Sequence, residues 1–340
     1  MKKILLLPDV ENWAFDRIAK QLKKNIGNEF DISIDYAKDY PNPWELFLAY
    51  PEINHFHIFW RAYLNLFYEK CQLEQLKIYG FTEEGFKKKY LIGKSFTTTI
   101  YDHLLLKNEF NITQRLFSHN TLVTDYSTSS KILFDLYSNE LPIQKRPDAY
   151  TPDGVDLDIF KPTTSLVDKY KSLNKREVIV GWAGNSNWDN DLKGLHTIIV
   201  PAVEALKKSG YSIKLLTSDR VENKPLPFDR MPDFYNSIDC YLCGSSSEGT
   251  PNPVLEAMAC GIPVISTNVG IVPEVFGNKQ KDFISPRTVE DFTYKLKKLI
   301  DSPRLFSVLS DENLQSIKKW DWKFMTNNFR EFFNKSHKLI

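Results

Sequence analysis

Short apolar runs alternate with longer amphipathic stretches along the whole chain. An apolar run bounded by turn residues predicts a buried strand. Nine runs fit this description: KKILLLP, DISIDYA, FHIFWR, SFTTTIYD, TLVTDYS, EVIVGWAG, YSIKLLTS, DCYLCGSS and IPVISTN. Helical spacing marks the stretches between them, such as AFDRIAKQLKKNI and GLHTIIVPAVEALKKSG. Because parallel strands are covered on both faces, this alternation predicts an α/β fold with parallel, doubly wound sheets.

A proline-rich segment at residues 141–164 interrupts the alternation. Such a segment is typical of a linker between two sheets. We therefore expect two Rossmann-like domains facing each other across a cleft, residues 1–145 and 146–318, followed by a C-terminal helix at residues 319–340 that returns to the first domain. Sheets of this kind bind ligands beyond the carboxyl ends of their strands, and the loops there are the places where chemistry is expected.

Composition narrows the function classes. The 340 residues carry 44 Lys and Arg against 43 Asp and Glu, so the net charge of +1 argues against a dedicated nucleic-acid binder. Cys71, Cys240, Cys243 and Cys260 are too scattered for a disulfide framework, which favours a reducing compartment. The C-x-x-C lies in an apolar run and is expected to be structural. No apolar run approaches the ~18 residues of a membrane span, so a cytoplasmic location is expected.

The stretch EGTPNPVLEAMACG raises the question of why two carboxylates flank the start of an apolar helix. Asn252 is a suitable N-cap, Pro253–Cys260 has helical spacing, and Gly261 is a stop signal. The first-turn amides of such a helix offer an anion site. Glu256 lies inside the helix and needs a hydrogen-bonding partner, which a polyhydroxylated ligand would supply. Alternatively, a backbone group or a lysine is its partner and Glu248 is a solvated loop residue.

At this point the sequence resembles a known family. SSSEGTPNPVLEAMACGIPVISTNVGIVPEV resembles the nucleotide-sugar signature of the retaining GT-B glycosyltransferases of family 4, the glycosyl transferases group 1, and Glu248 and Glu256 match its E-x7-E. TPDGVDLDIFKP is similar to the interdomain N-G-V-D segment of that family, and VIVGWAGNSNWDNDLKG to its phosphate-binding strand, loop and Lys-Gly. The resemblance implies a GT-B fold and a nucleotide-diphosphate sugar as co-substrate.

The resemblance also implies roles for single residues. Glu248 would accept hydrogen bonds from hydroxyls of the donor sugar, and Glu256 would bind the ribose. Lys193 would bind the diphosphate, where its charge would stabilise the leaving group. An ordinary surface lysine is the alternative for Lys193. The segment after the first carboxylate would line the sugar and phosphate; it consists of Gly249, Thr250, Pro251 and Asn252. The turn beginning at Met231 lies where the family binds the base.

The chain departs from the family at GWAGNSN, where many members carry an arginine. Gly184, Asn185 and Ser186 would bind phosphate there through backbone amides and the Ser186 hydroxyl, as an anion-binding nest does. A tight turn from strand to helix is the alternative interpretation. In either case the charge at the leaving group is expected to depend mainly on Lys193.

The acceptor half is less similar. SFTTTIYDHLL lies where the family has a strand ending in His-Asp, so His103 and the competing base Asp102 are candidates for proton transfer; a structural role is the alternative for His103. Trp13 is a stacking platform for a sugar ring or a buried residue at a helix start. Arg61, at the end of the strand FHIFWR, pairs with a phosphate or an acid, or is held in an interdomain salt bridge.

These features predict a retaining hexosyltransferase that moves a sugar from a UDP- or GDP-sugar to a glycan or lipid-linked acceptor in surface polysaccharide or glycoconjugate synthesis. We expect no metal and no cofactor; the D-x-D at Asp156 and Asp158 belongs to the interdomain segment. The alternatives are a GT-B sugar-nucleotide epimerase or hydrolase, and a non-catalytic nucleotide-sugar-binding subunit. Residues 83–96 mix basic and aromatic side chains, which suits peripheral contact with the inner face of a membrane or simply a solvated helix face.

Overall fold

The computed structural model describes residues 1–102, 110–118, 121–140, 143–187, 189–221 and 226–340. The chain forms two compact units. Unit 1 consists of residues 1–153 and 325–340, and unit 2 consists of residues 154–324. No helix in the described ranges combines the length and the hydropathy needed to cross a bilayer.

Unit 1 is built on a six-stranded parallel sheet with the order β2-β1-β3-β4-β5-β6. Its strands are β1 Lys2–Leu7, β2 Phe30–Ile34, β3 His55–Ile58, β4 Ser95–Ile100, β5 Asp125–Thr128 and β6 Ala149–Tyr150. Its helices are Ala14–Ile26, Glu45–Ala49, Arg61–Leu66, Lys70–Ile78, Glu83–Tyr90, Phe110–Leu116 and Lys131–Asp135, with a π-helical turn at Leu136–Glu140 and a 3₁₀ turn at Ala37–Asp39. The central strand β1 is fully buried from Ile4 to Leu7, as expected for a parallel strand covered on both faces.

Unit 2 contains a four-stranded parallel sheet with the order β10-β9-β7-β8. Its strands are β7 Val178–Gly184, β8 Ile213–Asp219, β9 Cys240–Cys243 and β10 Val264–Ser266. Its α-helices are Leu166–Lys171, Val200–Lys208, Met231–Ser237, Asn252–Ala259, Val272–Val275, Val289–Ile300 and Pro303–Ser316. A π-helical turn at Leu195–Ile199 leads into Val200–Lys208, and 3₁₀ turns lie at Leu173–Lys175, Asp189–Asp191, Phe228–Arg230, Gln280–Phe283 and Ile317–Trp320. The helix Trp322–Lys335 follows in the chain.

The predicted α/β fold class is confirmed, and each of the nine predicted runs overlaps a strand. The C-terminal helix expected at residues 319–340 is preceded by a separate helix. The helix Pro303–Ser316 ends first, and Trp322–Lys335 begins after Asp321. The Asp321 carboxylate accepts a hydrogen bond from the amide of Lys323 at 2.9 Å, so the new helix start has a capping side chain.

The cysteine pair is part of the core of unit 2. Cys240 and Cys243 are the two ends of β9 and both are buried. Residues three apart on a strand point to opposite faces, so their sulfur atoms diverge. Burial raises the pKa of both thiols, which keeps them protonated and inert. The pair is therefore a packed strand segment.

The C-terminal residues after the helix Trp322–Lys335 are bound to unit 1. The amide of Leu339 donates to Lys94 O at 2.7 Å, and Leu339 O accepts from the amide of Gly93 at 2.8 Å. The amide of His337 donates to Asp125 Oδ2 at 2.7 Å, and His337 Nδ1 lies 2.5 Å from Asp125 Oδ1. A buried carboxylate at the start of β5 therefore holds the tail through a backbone and a side-chain contact.

This contact predicts a pH-dependent contribution to stability. The hydrogen bond and charge of Asp125 raise the pKa of His337 above its usual 6.5. The folded chain thus binds the imidazole proton more tightly than the unfolded chain, so the stabilisation is complete below pH 6.5 and is lost as the pH rises through the raised value. We expect His337→Gln to lower the melting temperature most at acidic pH and least at alkaline pH. The expected effect is small because the imidazole is 77% exposed. A melting difference that is constant with pH would contradict it.

Candidate functional site

Lys193 and Glu248 meet in unit 2 beyond the carboxyl ends of two neighbouring strands. Lys193 lies in the loop after β7 and Glu248 in the loop after β9, and the two strands pair directly. Lys193 Nζ lies 2.6 Å from Glu248 Oε1. The hydroxyl of Ser245 donates to the same oxygen at 2.7 Å. Both charged side chains retain solvent contact, with 25% and 14% exposure, so the pair is within reach of a ligand.

Several contacts that the sequence analysis missed hold these two loops together. The amide of Ser246 donates to Leu192 O at 2.9 Å. Arg287 donates through Nε to Gly244 O at 2.8 Å and through a terminal nitrogen to Asp191 O at 2.6 Å. One guanidinium therefore bridges the loop that carries Lys193 and the loop that carries Glu248. No local sequence signal identifies Arg287, because its partners are backbone carbonyls distant in the chain.

The second carboxylate of the motif has a tyrosine as its partner. Glu256 is 8% exposed on the helix Asn252–Ala259, and its Oε2 accepts a hydrogen bond of 2.6 Å from the hydroxyl of Tyr235. Burial, reinforced by the charge of Glu256, raises the pKa of Tyr235, so the phenol stays protonated as a donor. One partner of Glu256 is thus a phenol from the helix Met231–Ser237, which the sequence did not indicate.

The start of the motif helix differs from its prediction by one residue. Pro251 is the cap position and Asn252 is the first helical residue. Asn252 is therefore not the N-cap, and Pro253 is not the first helical residue. The end is close to expectation, since the helix ends at Ala259 and Gly261 has a φ of +73°.

The GWAGNSN loop uses its amides internally. The amide of Ser186 donates to Asp219 Oδ1 at 3.1 Å, and the amide of Asn187 donates to Asn185 Oδ1 at 3.0 Å. Burial alone would raise the pKa of Asp219, but the hydrogen bonds from Ser186 and Val221 together outweigh it and lower that pKa, so Asp219 is a charged acceptor. A phosphate would have to displace these oxygens to use the two amides. Gly184 is the last residue of β7.

A carboxylate of the protein already binds at the start of the helix after Gly194. The Asp191 carboxylate accepts from the amide of Thr197 at 2.7 Å and from its hydroxyl at 2.8 Å. The positive end of that helix is thereby partly compensated by a residue of the protein. Positive charge near Glu248 consequently comes from the Lys193 side chain more than from this helix end.

The remaining donor-side residues also belong to unit 2. Met231 begins the helix Met231–Ser237 and is buried. Gly249, Thr250 and Pro251 are buried, whereas Asn252 is half-buried. Gly249 O accepts a hydrogen bond of 3.1 Å from the amide of Ile271, which ties this segment to the loop after β10.

In unit 1 the structure brings two predicted residues together. Arg61 is the first residue of the helix Arg61–Leu66 rather than the end of a strand, and it is almost fully buried. Its guanidinium donates to Asp102 Oδ1 at 2.8 Å and to the hydroxyl of Tyr137 at 3.0 Å. Both partners belong to unit 1, so these contacts form no interdomain salt bridge. His103 lies outside the described residues.

Two tryptophans are exposed at the carboxyl edge of the same sheet. Trp13 precedes the helix Ala14–Ile26 and is 49% exposed, so its alternative interpretation as a buried residue is wrong. Trp60 precedes the helix Arg61–Leu66 and is 45% exposed. The sequence analysis did not single it out. The neighbouring rings of Phe15 and Phe59 stack with centroids 5.6 Å apart.

One cluster has the composition of a metal site. Ligand atoms of Asp125, Asp148 and His337 lie within 4.8 Å of one another in the described part of unit 1. The cluster is at the amino end of β5, on the edge of the sheet opposite to Arg61 and Asp102. Asp125 is already bonded to His337, and the amide of Tyr126 donates to Asp148 Oδ2 at 3.0 Å, so these hydrogen bonds account for the cluster. We assign no metal to it.

Part of the chain is similar in sequence to known glycosyltransferases. Residues 220–316 match the family model described as glycosyl transferases group 1, and this range includes Glu248 and Glu256. The chain is 25% identical over 174 residues to a capsular polysaccharide biosynthesis glycosyltransferase, CapM, of Staphylococcus aureus, covering 45% of each chain. It is 28% identical over 193 residues to an MMP alpha-(1->4)-mannosyltransferase of Mycolicibacterium hassiacum, covering 51% of this chain and 44% of the relative. The chain thus spans less than half of the length of these relatives.

Solved structures share the fold over nearly the whole chain. The HepE protein of Anabaena, crystallised with UDP and glucose, aligns with a TM-score of 0.68 at 12% identity, covering 98% of this chain and 100% of that chain. At this identity the likeness concerns the fold, which consists of two Rossmann-like domains. The chain therefore has the GT-B fold of glycosyltransferases, and residues 220–316 match the group 1 glycosyltransferases in sequence.

Proposed function

We propose that this chain is a retaining, metal-independent glycosyltransferase that moves a hexose-type sugar from a UDP- or GDP-sugar to a glycan or lipid-linked acceptor in surface polysaccharide or glycoconjugate synthesis. It would act in the cytoplasm, with peripheral membrane contact through residues 83–96. The matched group 1 segment supports the transferase activity. The name of the CapM relative supports a role in polysaccharide synthesis, and the HepE complex with UDP and glucose supports a nucleotide-diphosphate sugar as donor.

The observation that carries the proposal is the contact between Lys193 and Glu248. Sugar transfer from a nucleotide diphosphate needs positive charge at the departing phosphates and hydrogen-bond acceptors at the sugar hydroxyls. Lys193 Nζ and Glu248 Oε1, 2.6 Å apart, present both chemistries at one sheet edge. A bound diphosphate would compete with Glu248 for the ammonium group and leave the carboxylate available to sugar hydroxyls. Glu256 would bind the ribose.

The remaining roles follow from position. The segment Gly249 to Asn252 would line the sugar and phosphate, with Met231 near the base and the loop Gly184 to Ser186 near the phosphate. Lys193 would supply the leaving-group charge that a metal supplies in other enzymes, and no cofactor is required for the reaction. Asp102 or His103 would assist the acceptor hydroxyl. Trp13 would stack on an acceptor sugar, and Arg61 would orient Asp102 through their ion pair.

A donor screen with acceptor extracts tests the proposal. The chain is incubated with UDP- and GDP-sugars, with and without glycan or lipid extracts, and nucleotide release is measured. We expect release that depends on the acceptor. Turnover without acceptor would instead indicate an epimerase or hydrolase, and binding without turnover would indicate a non-catalytic nucleotide-sugar-binding subunit.

Substitution of Glu256 tests the donor site directly. Glu256→Gln retains the size of the side chain and an oxygen that can accept from Tyr235, but it removes the negative charge. We expect donor affinity to fall about tenfold, as for loss of a hydrogen bond to a charged group, with little change in melting temperature. Isothermal titration calorimetry with the best donor measures the affinity. Unchanged affinity would contradict the assignment of Glu256.

A further inference from the structure

Tyr235 is held in a rigid aromatic environment next to Glu256. Its side chain is fully buried on the helix Met231–Ser237. Ring centroids lie 6.0 Å away for Phe160, 5.3 Å for Phe234 and 5.9 Å for Tyr241. Close packing of this kind restricts the ring to one orientation. The phenol oxygen is therefore a fixed point, and it lies 2.6 Å from Glu256 Oε2.

A fixed donor orients a carboxylate. The last side-chain torsion of a glutamate has a broad energy profile, so the carboxylate plane is set by its hydrogen bonds. The bond from Tyr235 to Oε2 constrains that plane and with it the direction of Oε1, because the group is planar. A carboxylate that is already oriented can accept hydrogen bonds from two adjacent hydroxyls at once. A carboxylate that rotates freely loses conformational entropy when it binds them, which lowers the affinity. Adjacent hydroxyls are the feature that separates a ribose from a 2′-deoxyribose.

We propose that Tyr235 is a positioning residue that orients Glu256 toward the ribose diol and thereby gives the donor site its preference for ribonucleotides over 2′-deoxyribonucleotides. This inference rests on the proposed function, since it requires that Glu256 binds the nucleotide ribose. Tyr235 itself need not touch the ligand. Its effect is transmitted through one hydrogen bond between two buried side chains of the same unit.

Tyr235→Phe isolates this hydrogen bond, because it keeps the ring packing and removes one oxygen. The probes are UDP, GDP and their 2′-deoxy forms, titrated by calorimetry. Wild type should bind a ribonucleotide more tightly than its deoxy form. In Tyr235→Phe the affinity for the ribonucleotide should fall about five- to tenfold while that for the deoxy form changes little, so the ratio shrinks. The matched control is Tyr170→Phe, which also removes a buried hydroxyl of unit 2, one bonded to Gly261 O at 3.2 Å. It should leave the ratio unchanged.

The double variant Tyr235→Phe with Glu256→Gln completes the test. If Tyr235 acts through Glu256, the tyrosine substitution should leave the ratio unchanged in the glutamine background. This background also removes the buried negative charge to which Tyr235 donates, so the chain should fold even where Tyr235→Phe alone is unstable. Equal weakening of ribo and deoxy forms, or the same ratio change in both backgrounds, would overturn the inference. Wild-type binding to none of the four nucleotides would instead overturn the proposed function.

Discussion

Lys193→Met is expected to lower the rate of sugar transfer about 10²–10³-fold, the size of effect seen when one donor that stabilises developing negative charge is removed. Methionine retains most of the length of the side chain and removes its charge. The amides of Ser186, Asn187 and Thr197 are poorly placed to compensate, because each is bonded to an oxygen of the protein. Steady-state kinetics with the donor and acceptor identified by the screen measure the loss.

Lys207→Met is the matched control for this experiment. Lys207 also belongs to unit 2 and also forms an ion pair, with Glu204 at 2.7 Å, but it lies in the last turn of the helix Val200–Lys208. Its loss should leave the rate within a factor of two, as for exposed ion pairs in general. If Lys193→Met retained the wild-type rate, or if both variants lost activity equally, Lys193 would have no role at the leaving group.

Much of the fold could be predicted because its signal is local. The strands of a parallel sheet are continuous apolar runs, and Ile4 to Leu7 in β1 are buried on both faces as that pattern requires. Helix boundaries were less predictable. The helix Asn252–Ala259 begins at Asn252, one residue before the predicted start at Pro253. The last helix begins after Asp321, whose carboxylate accepts from the amide of Lys323.

The candidate site was only partly predictable, because its contacts join distant parts of the chain. Each of Lys193 and Glu248 was found from its own motif, but their ion pair spans 55 positions. The tyrosine partner of Glu256 comes from another helix, and Arg287 reaches two carbonyl groups that carry no side-chain signal. Contacts of this kind depend on strand order and on how the loops pack. Neither can be read from local patterns in one sequence. The pairing of Arg61 with Asp102 was missed for the same reason.

The position of Lys193 depends on a glycine that immediately follows it. Gly194 has a φ of +72°, and a Cβ added there would lie 2.2 Å from Gly244 O. This close approach joins the loop that carries Lys193 to the loop that carries Ser245 and Glu248. An alanine would therefore suffer both a left-handed backbone conformation and a clash with main-chain atoms that cannot rotate away.

We expect Gly194→Ala to destabilise the chain by about 3 kcal/mol, of which about 1 kcal/mol arises from the backbone conformation and the rest from overpacking. Gly210→Ala separates the two causes, because Gly210 has a φ of +89° and nothing lies within 4 Å of its added Cβ. It should cost only about 1 kcal/mol. Urea unfolding of both variants measures the difference.

Because the clash separates the two loops, the folded fraction of Gly194→Ala should also bind nucleotide diphosphate more weakly, whereas Gly210→Ala should bind it normally. Equal destabilisation by the two variants would show that the contact between Gly194 and Gly244 is not close in solution.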